Sequence, residues 1–305
     1  MTRFIPRILR AWPALASALL VGNCGASDVE EPVTAETADP PSALAQIVAR
    51  DQAFDRAAAE VGVTEAFRTF VDPDGLLFQP GPVIAGPWLA ENEIAVAELH
   101  WVPVAAGLAA SGDLGYTTGP FRAAGPDGGE GRGYYVTIWR LGGDGLFKAV
   151  LDIGVPTGET GPLPETPEVA ELFVDTMMAN PADAPDPDGL QSLLGVDRAF
   201  AVGQATNGTE ATMAAYAAPS VRIYRVGVPV VVGLTDPEAR RIMASDRPST
   251  SPIDGGLSAS GTLGYVYGSV ARDGRAEAGH YLRIWRRDPD GPWTLALDLV
   301  TLPPA

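Results

Sequence analysis

The side chains in this chain that could do acid–base chemistry are few, and they fall on a pattern. Asp51 interrupts an apolar stripe at helical spacing, Leu44, Ile47, Val48, Phe54, Ala58 and Val61, and Asp197 interrupts a matching one, Leu190, Leu193, Leu194, Phe200 and Ala201. A carboxyl group on such a stripe faces an apolar interior. Burial raises its pKa toward the range of a general base, while a purely structural acid would pair with Arg140, Arg286 or backbone. His100, beside Trp101 at a strand start, is a second candidate acid or base. The other histidine, His280, stands where the first copy has Tyr134, so no histidine pair exists and no metal site is expected. Asp113 is a third candidate, since the second copy replaces it with Thr262; its place in a hairpin turn also suits Asp for backbone reasons. Tyr116, Tyr134 and Arg140 are the candidate ligand contacts. No nucleophile elbow or dinucleotide fingerprint occurs, and no cofactor is expected. The run Gly125-Pro126-Asp127-Gly128-Gly129-Glu130-Gly131 lacks the lysine of a phosphate cradle and reads as a hairpin loop.

These residues sit within a duplication. Ser111-Gly112-Asp113-Leu114-Gly115-Tyr116, the strand Gly133 to Arg140 and the closing strand to Asp152 return as Ser260-Gly261-Thr262-Leu263-Gly264-Tyr265, Gly279 to Arg286, and a strand ending at Asp298. The helical stripes are 146 residues apart, as Asp51 and Asp197 show. Each copy reads as a helix, short strands near Leu76–Phe78 or Val221–Tyr224, a short helix, a long strand about Trp101 to Leu108, and two further strands joined by Gly142–Gly145 or Asp288–Gly291. Helices followed by a bent antiparallel sheet make an α+β fold. Between the copies, Thr166-Pro167-Glu168 predicts the cap of an amphipathic helix to about Ala179, with Val169, Leu172, Phe173 and Met177 on one face.

The order of elements, the Ser-Gly-Asp-Leu-Gly-Tyr turn and strand, and the Ile138-Trp139-Arg140, Asp144-Gly145, aromatic sequence resemble NTF2-like domains of the SnoaL and DUF4440 type. The resemblance implies two tandem cystatin-like cones, each with N-terminal helices packed on a bent antiparallel sheet around a pocket. Their limits are 42–155 and, in degenerate form, 188–305, with 156–187 as linker. That fold hosts enzymes and purely associative domains alike.

Pairing the last two strands through the turn at 142–145 places Ile138 opposite Ala149 and Val136 opposite Leu151 on an apolar face, with Tyr135 opposite Asp152 and Trp139 opposite Lys148 on the other. The apolar face is expected against the helices and the Trp139 and Trp285 faces outward. Domains of the resembled family often pair through their sheets, which implies an intrachain pseudo-dimer.

Arg3, Arg7 and Arg10 ahead of an apolar run from Ala11 to Val21 read as an export signal over residues 1–23. Leu20-Val21-Gly22-Asn23-Cys24 is similar to a bacterial lipoprotein box, making Cys24 a candidate lipidation site. Cleavage near Ala26, discarding the only cysteine, stays open beside it. Residues 24–41 are acidic, Pro-rich and expected to be a disordered tether. Export predicts a periplasmic or membrane-anchored lipoprotein of a bacterium, touching the membrane only through that anchor. Removing the leader, which carries three arginines and no acid, moves the formal charge from −17 to −20. Such a body repels phosphate backbones, so nucleic acid is not an expected partner. The function expected is binding of a small apolar molecule or a protein partner without chemistry. The alternative is an isomerase or dehydratase-type enzyme with its pocket in the first domain.

Overall fold

In this computed structural model, residues 42–157, 161–165, 168–174, 188–245, 248–272, 275–289 and 291–302 are described. The leader, Cys24 and the tether lie outside them. In the first half, α1 (Ala43–Val61) and α2 (Val63–Phe70) lead into β1 (Val71–Phe78), β2 (Pro82–Ile84), α3 (Ala85–Glu91), β3 (Glu98–Trp101), β4 (Ala105–Leu108), β5 (Leu114–Ala124), β6 (Glu130–Leu141) and β7 (Phe147–Pro156). After β8 (Ala170–Val174), the second half repeats the order as α4 (Gly189–Asn207), α5 (Thr209–Tyr216), β9 (Ala217–Arg225), β10 (Val228–Val232), α6 (Pro237–Ser245), β11 (Ser249–Leu257), β12 (Leu263–Arg272), β13 (Arg275–Arg286) and β14 (Thr294–Val300). The arrangement is α+β, with helices packed on bent sheets of order β2-β1-β7-β6-β5-β4-β8 and β10-β9-β14-β13-β12-β11, β3 adding to β5.

Helix α1 starts where the Ser42 hydroxyl accepts from Ala45 N at 3.2 Å, and stops at Gly62, whose φ of 94° suits glycine. Its buried stripe includes Leu44, Ile47, Asp51 and Phe54, as the periodicity predicts. The first core joins this stripe to α2, Trp101, Tyr135 and Trp139; the second joins Leu193, Phe200 and Met213 to Tyr281 and Trp285.

Three expectations need correction. The segment after Pro167 is not a helix where it is described: Ala170–Val174 forms β8, parallel to β4, with Ala170 N donating to Val104 O at 3.0 Å. Edge strand β4 offers unpaired backbone groups, and satisfying them overrides the helical spacing. The expected helix's end, with Met177, lies outside the described residues. The strand expected from Trp101 to Leu108 is broken between β3 and β4, where Pro103 cannot donate a ladder bond.

The third correction concerns faces. The observed register pairs Thr137 with Asp152, Ile138 with Leu151 and Trp139 with Ala149, with an irregularity between Ile138 and Trp139 that leaves Val150 as an extra residue. A bulge shifts the alternation by one, so Phe147 and Ala149 join the helix-side core while Leu151 and Ile153 turn to the opposite face. Trp139 and Trp285 point inward and are fully buried, not outward. Their indole N–H groups find partners inside, Trp139 Nε1 on Thr117 Oγ1 at 2.8 Å and Trp285 Nε1 on Asp197 Oδ1 at 3.1 Å. The purely aliphatic face needs no polar partner and packs sheet against sheet: Val136, Ile138 and Leu151 meet Leu282, Ile284 and Leu297 in a third core.

Contacts across that core are two-fold in pattern. Tyr134 packs on Tyr224 at 6.0 Å between ring centroids, and the equivalent His280 packs on Phe78 at 5.7 Å. Thr118 Oγ1 bonds the Tyr224 hydroxyl at 2.8 Å, while Tyr267 packs on Phe78 at 6.2 Å. The repeated Ser-Gly turns close one end: Ser111 Oγ and Ser260 Oγ lie 3.0 Å apart, Ser260 N donates to Ser111 Oγ at 3.1 Å, and Ala259 N donates to Asp113 Oδ2 at 3.1 Å.

Candidate functional site

Asp51 projects from α1 into the first cone and is fully buried. Trp101 Nε1 donates to its Oδ1 at 2.7 Å and the Tyr135 hydroxyl donates to its Oδ2 at 2.5 Å. Burial pushes its pKa up to about 7 against the pull of the donors Tyr135, Trp101 and Thr117. Burial and the neighbouring Asp51 hold the Tyr135 hydroxyl protonated, its pKa well above the ordinary value. The Asp51 partners foreseen, Arg140 or Arg286, are not the ones it uses.

Beside this pair a cavity of about 240 Å³ opens, walled by Phe54, Phe67, Leu77, Trp101, Tyr135 and Asp152. Asp152 Oδ2 accepts from Thr137 Oγ1 at 2.6 Å, and burial lifts its pKa to about 6. No cation among the described residues pairs with either acid of the first cone. The cavity is thus an aromatic and aliphatic pocket with one polar corner, suited to a small molecule whose polar group meets a carboxyl group there. No cluster of His, Cys, Asp and Glu among the described residues could hold a metal ion.

The second half sets a cation among the corresponding acids. Arg283 is fully buried; its Nη1 lies 3.2 Å from Asp197 Oδ2 and its Nε donates to Asp298 Oδ1 at 2.9 Å. Nη2 reaches Gln204 Oε1 and Thr250 Oγ1, each at 3.2 Å. The Tyr281 hydroxyl donates to Asp197 Oδ2 at 2.7 Å, as Tyr135 does to Asp51. Arg225 Nη2 completes an ionic ladder with Asp298 Oδ2 at 2.6 Å. Although burial favours the neutral acid, Arg225 and Arg283 hold Asp298 below the usual carboxylate range.

Of the predicted site residues, only Asp51 joins this constellation. His100 is half-exposed on the outer side of β3, its Nδ1 3.5 Å from Asp55 Oδ1, and does not line the cavity. Alternation along β3 turns it away from the wall that Trp101 enters. Asp113 binds the second half's turn, and Arg140 lies near the same junction, 3.8 Å from Asp113 and 3.4 Å from Leu257 O. Tyr116 and Tyr134 lie in the core between the sheets, on the face that Val136 and Ile138 of β6 share, with Tyr116 of β5 paired to Ile138. Tyr135 and Asp152 are site residues that the residue patterns alone do not single out. The signal for them was present: both recur, as Tyr281 and Asp298, while Thr137 between them becomes Arg283.

No family model matches this chain, and no curated protein does. Solved structures do resemble part of this chain. One is a nuclear transport factor 2 (NTF2-like) superfamily protein from Salmonella enterica serovar Typhimurium, at 13% identity and a TM-score of 0.32, covering 38% of this chain and 92% of that one. Another is a ketosteroid isomerase-like protein from Erwinia carotovora atroseptica, at 15% identity and a TM-score of 0.31, covering 38% and 97%.

Proposed function

We propose that the first half is a binding domain for a small, largely apolar molecule and that the second half is its structural partner. One observation carries this reading: a cavity walled by Phe54, Tyr135 and Asp152 opens in the first half, whereas their counterparts Phe200, Tyr281 and Asp298 close on the buried Arg283. Mass spectrometry of molecules that co-purify with the protein, combined with NMR mapping of small aromatic probes, tests it. Shifts confined to residues around Phe54, Trp101 and Tyr135, and lost in Thr137→Arg, are expected. Probe shifts elsewhere, or unchanged in that variant, refute it.

A second reading is proton transfer in an isomerase or dehydratase-type reaction. The Asp152 carboxyl, lifted to about 6 at the cavity wall, has the character of a general base near neutral pH. Deuterium incorporation into an enolisable ketone, abolished in Asp152→Asn, would support it; none from a panel of such ketones leaves binding alone.

We also propose export and anchoring through Cys24, supported by the arginine-led apolar leader and the Leu20-Val21-Gly22-Asn23-Cys24 segment. An acylated N-terminal Cys24 peptide from membranes is the expected finding. A mature chain starting beyond Ala26 overturns the anchor and keeps export, and a mature chain that retains residues 1–23 overturns both.

A further inference from the structure

The second half is an internal template for what the first cavity would hold. There the carbon of the Arg283 guanidinium lies 4.5 Å from the Phe200 ring centroid and 4.3 Å from that of Tyr281, with Asp197 and Asp298 on its nitrogens. At positions 146 earlier, this whole nest is retained as Phe54, Tyr135, Asp51 and Asp152. The cations are gone, Thr137 standing for Arg283 and Gln79 for Arg225, and Ala58 stands for Gln204. Phe54, Gln79, Tyr135 and Asp152 all line the cavity.

The two acids of the first half are not equally placed. Trp101, which stands where β11 carries Thr250, and Tyr135 each give a donor to Asp51, so neutral groups satisfy it. Asp152 receives one hydroxyl, from Thr137, and borders the open volume. An ionised carboxylate against an aromatic wall is costly until a cation reaches it, and aromatic faces add attraction for that cation.

We propose that the ligand of the first cavity is an organic cation: an amidinium, guanidinium or ammonium group on a compact apolar body, with its charge on Asp152 and its flanks on Phe54 and Tyr135. The proposal rests on the reading of this cavity as a ligand site. About 240 Å³ suits a single-ring body.

Calorimetric titration at pH 7.5 with benzamidine, benzylamine and the neutral benzyl alcohol tests it. The cations should bind about tenfold or more tightly than the alcohol, a difference of about 1.4 kcal/mol. Asp152→Asn should erase that difference by weakening the cations, and Thr137→Arg should exclude all three probes. In the wild-type protein, cation affinity should fall as the pH drops below 6 while alcohol affinity holds. That arm decides the matter if Asp152→Asn does not fold. Equal affinity for benzylamine and benzyl alcohol, or no effect of Asp152→Asn or of pH, overturns the cation and leaves the cavity reading standing. Absence of saturable binding by any probe overturns both.

Discussion

Replacing Arg283 with methionine removes the cation from between two buried carboxylates while roughly keeping its volume. Asp298 retains Arg225 at 2.6 Å, so the loss falls mainly on Asp197, left with the Tyr281 hydroxyl at 2.7 Å and the Trp285 N–H at 3.1 Å. Gln204 and Thr250 lose a donor as well. Breaking a buried ion pair from one side costs about 3–5 kcal/mol, because the remaining charge stays desolvated. At roughly 2–4 °C per kcal/mol for a chain of this size, Tm should fall by about 6–20 °C. Urea unfolding followed by tryptophan fluorescence reads the free energy directly. Adding Asp197→Asn should recover about half of the loss or more, since the orphaned charge goes with it. If Arg283→Met unfolds within about 1 kcal/mol of the wild type, or Asp197→Asn deepens its loss, the ionic interior is not what holds the second half.

Three further outcomes are expected. Asp51 and Asp152 have folded pKa values raised to about 7 and 6, so wild-type stability should fall as the pH rises from 5 to 8, by up to about 1.4 kcal/mol per pH unit for each group; Asp51→Asn should flatten the upper part of that profile in pH-dependent melting. Asp113→Ala strips Ala259 N and Ser111 of their acceptor at the junction, and about 1–2 kcal/mol of stability should be lost in urea unfolding; Tyr224→Phe, which breaks the bond to Thr118, should cost about 1 kcal/mol. Ala170→Pro removes the N–H that donates to Val104 O, and hydrogen exchange should show β4 losing protection while β13 keeps its own.

Much of the architecture was legible from residue patterns. The duplication, the helix stripe carrying Asp51 and Asp197, the glycines that end α1 and α4, and the paired Ser-Gly turns are local or periodic features, read without knowing what packs on what. Faces were less legible. A single extra residue at Val150 moves every later side chain of β7 to the other side of the sheet, and the Leu151, Ile153, Val155 alternation looks the same with or without it. The helix expected after Pro167 failed for a related reason: its backbone is claimed by the edge of β4, whose need for partners is invisible in the segment itself.

What the sequence determined by itself is therefore the repeated scaffold and the list of its differences, Thr137 against Arg283 and Gln79 against Arg225 among them. Their meaning came from the tertiary structure alone. A long cation and a short hydroxyl at one strand position are equally good β residues, and only when the strand turns that position inward does Arg283 meet Asp197 and Asp298 while Thr137 meets Asp152 at the cavity wall.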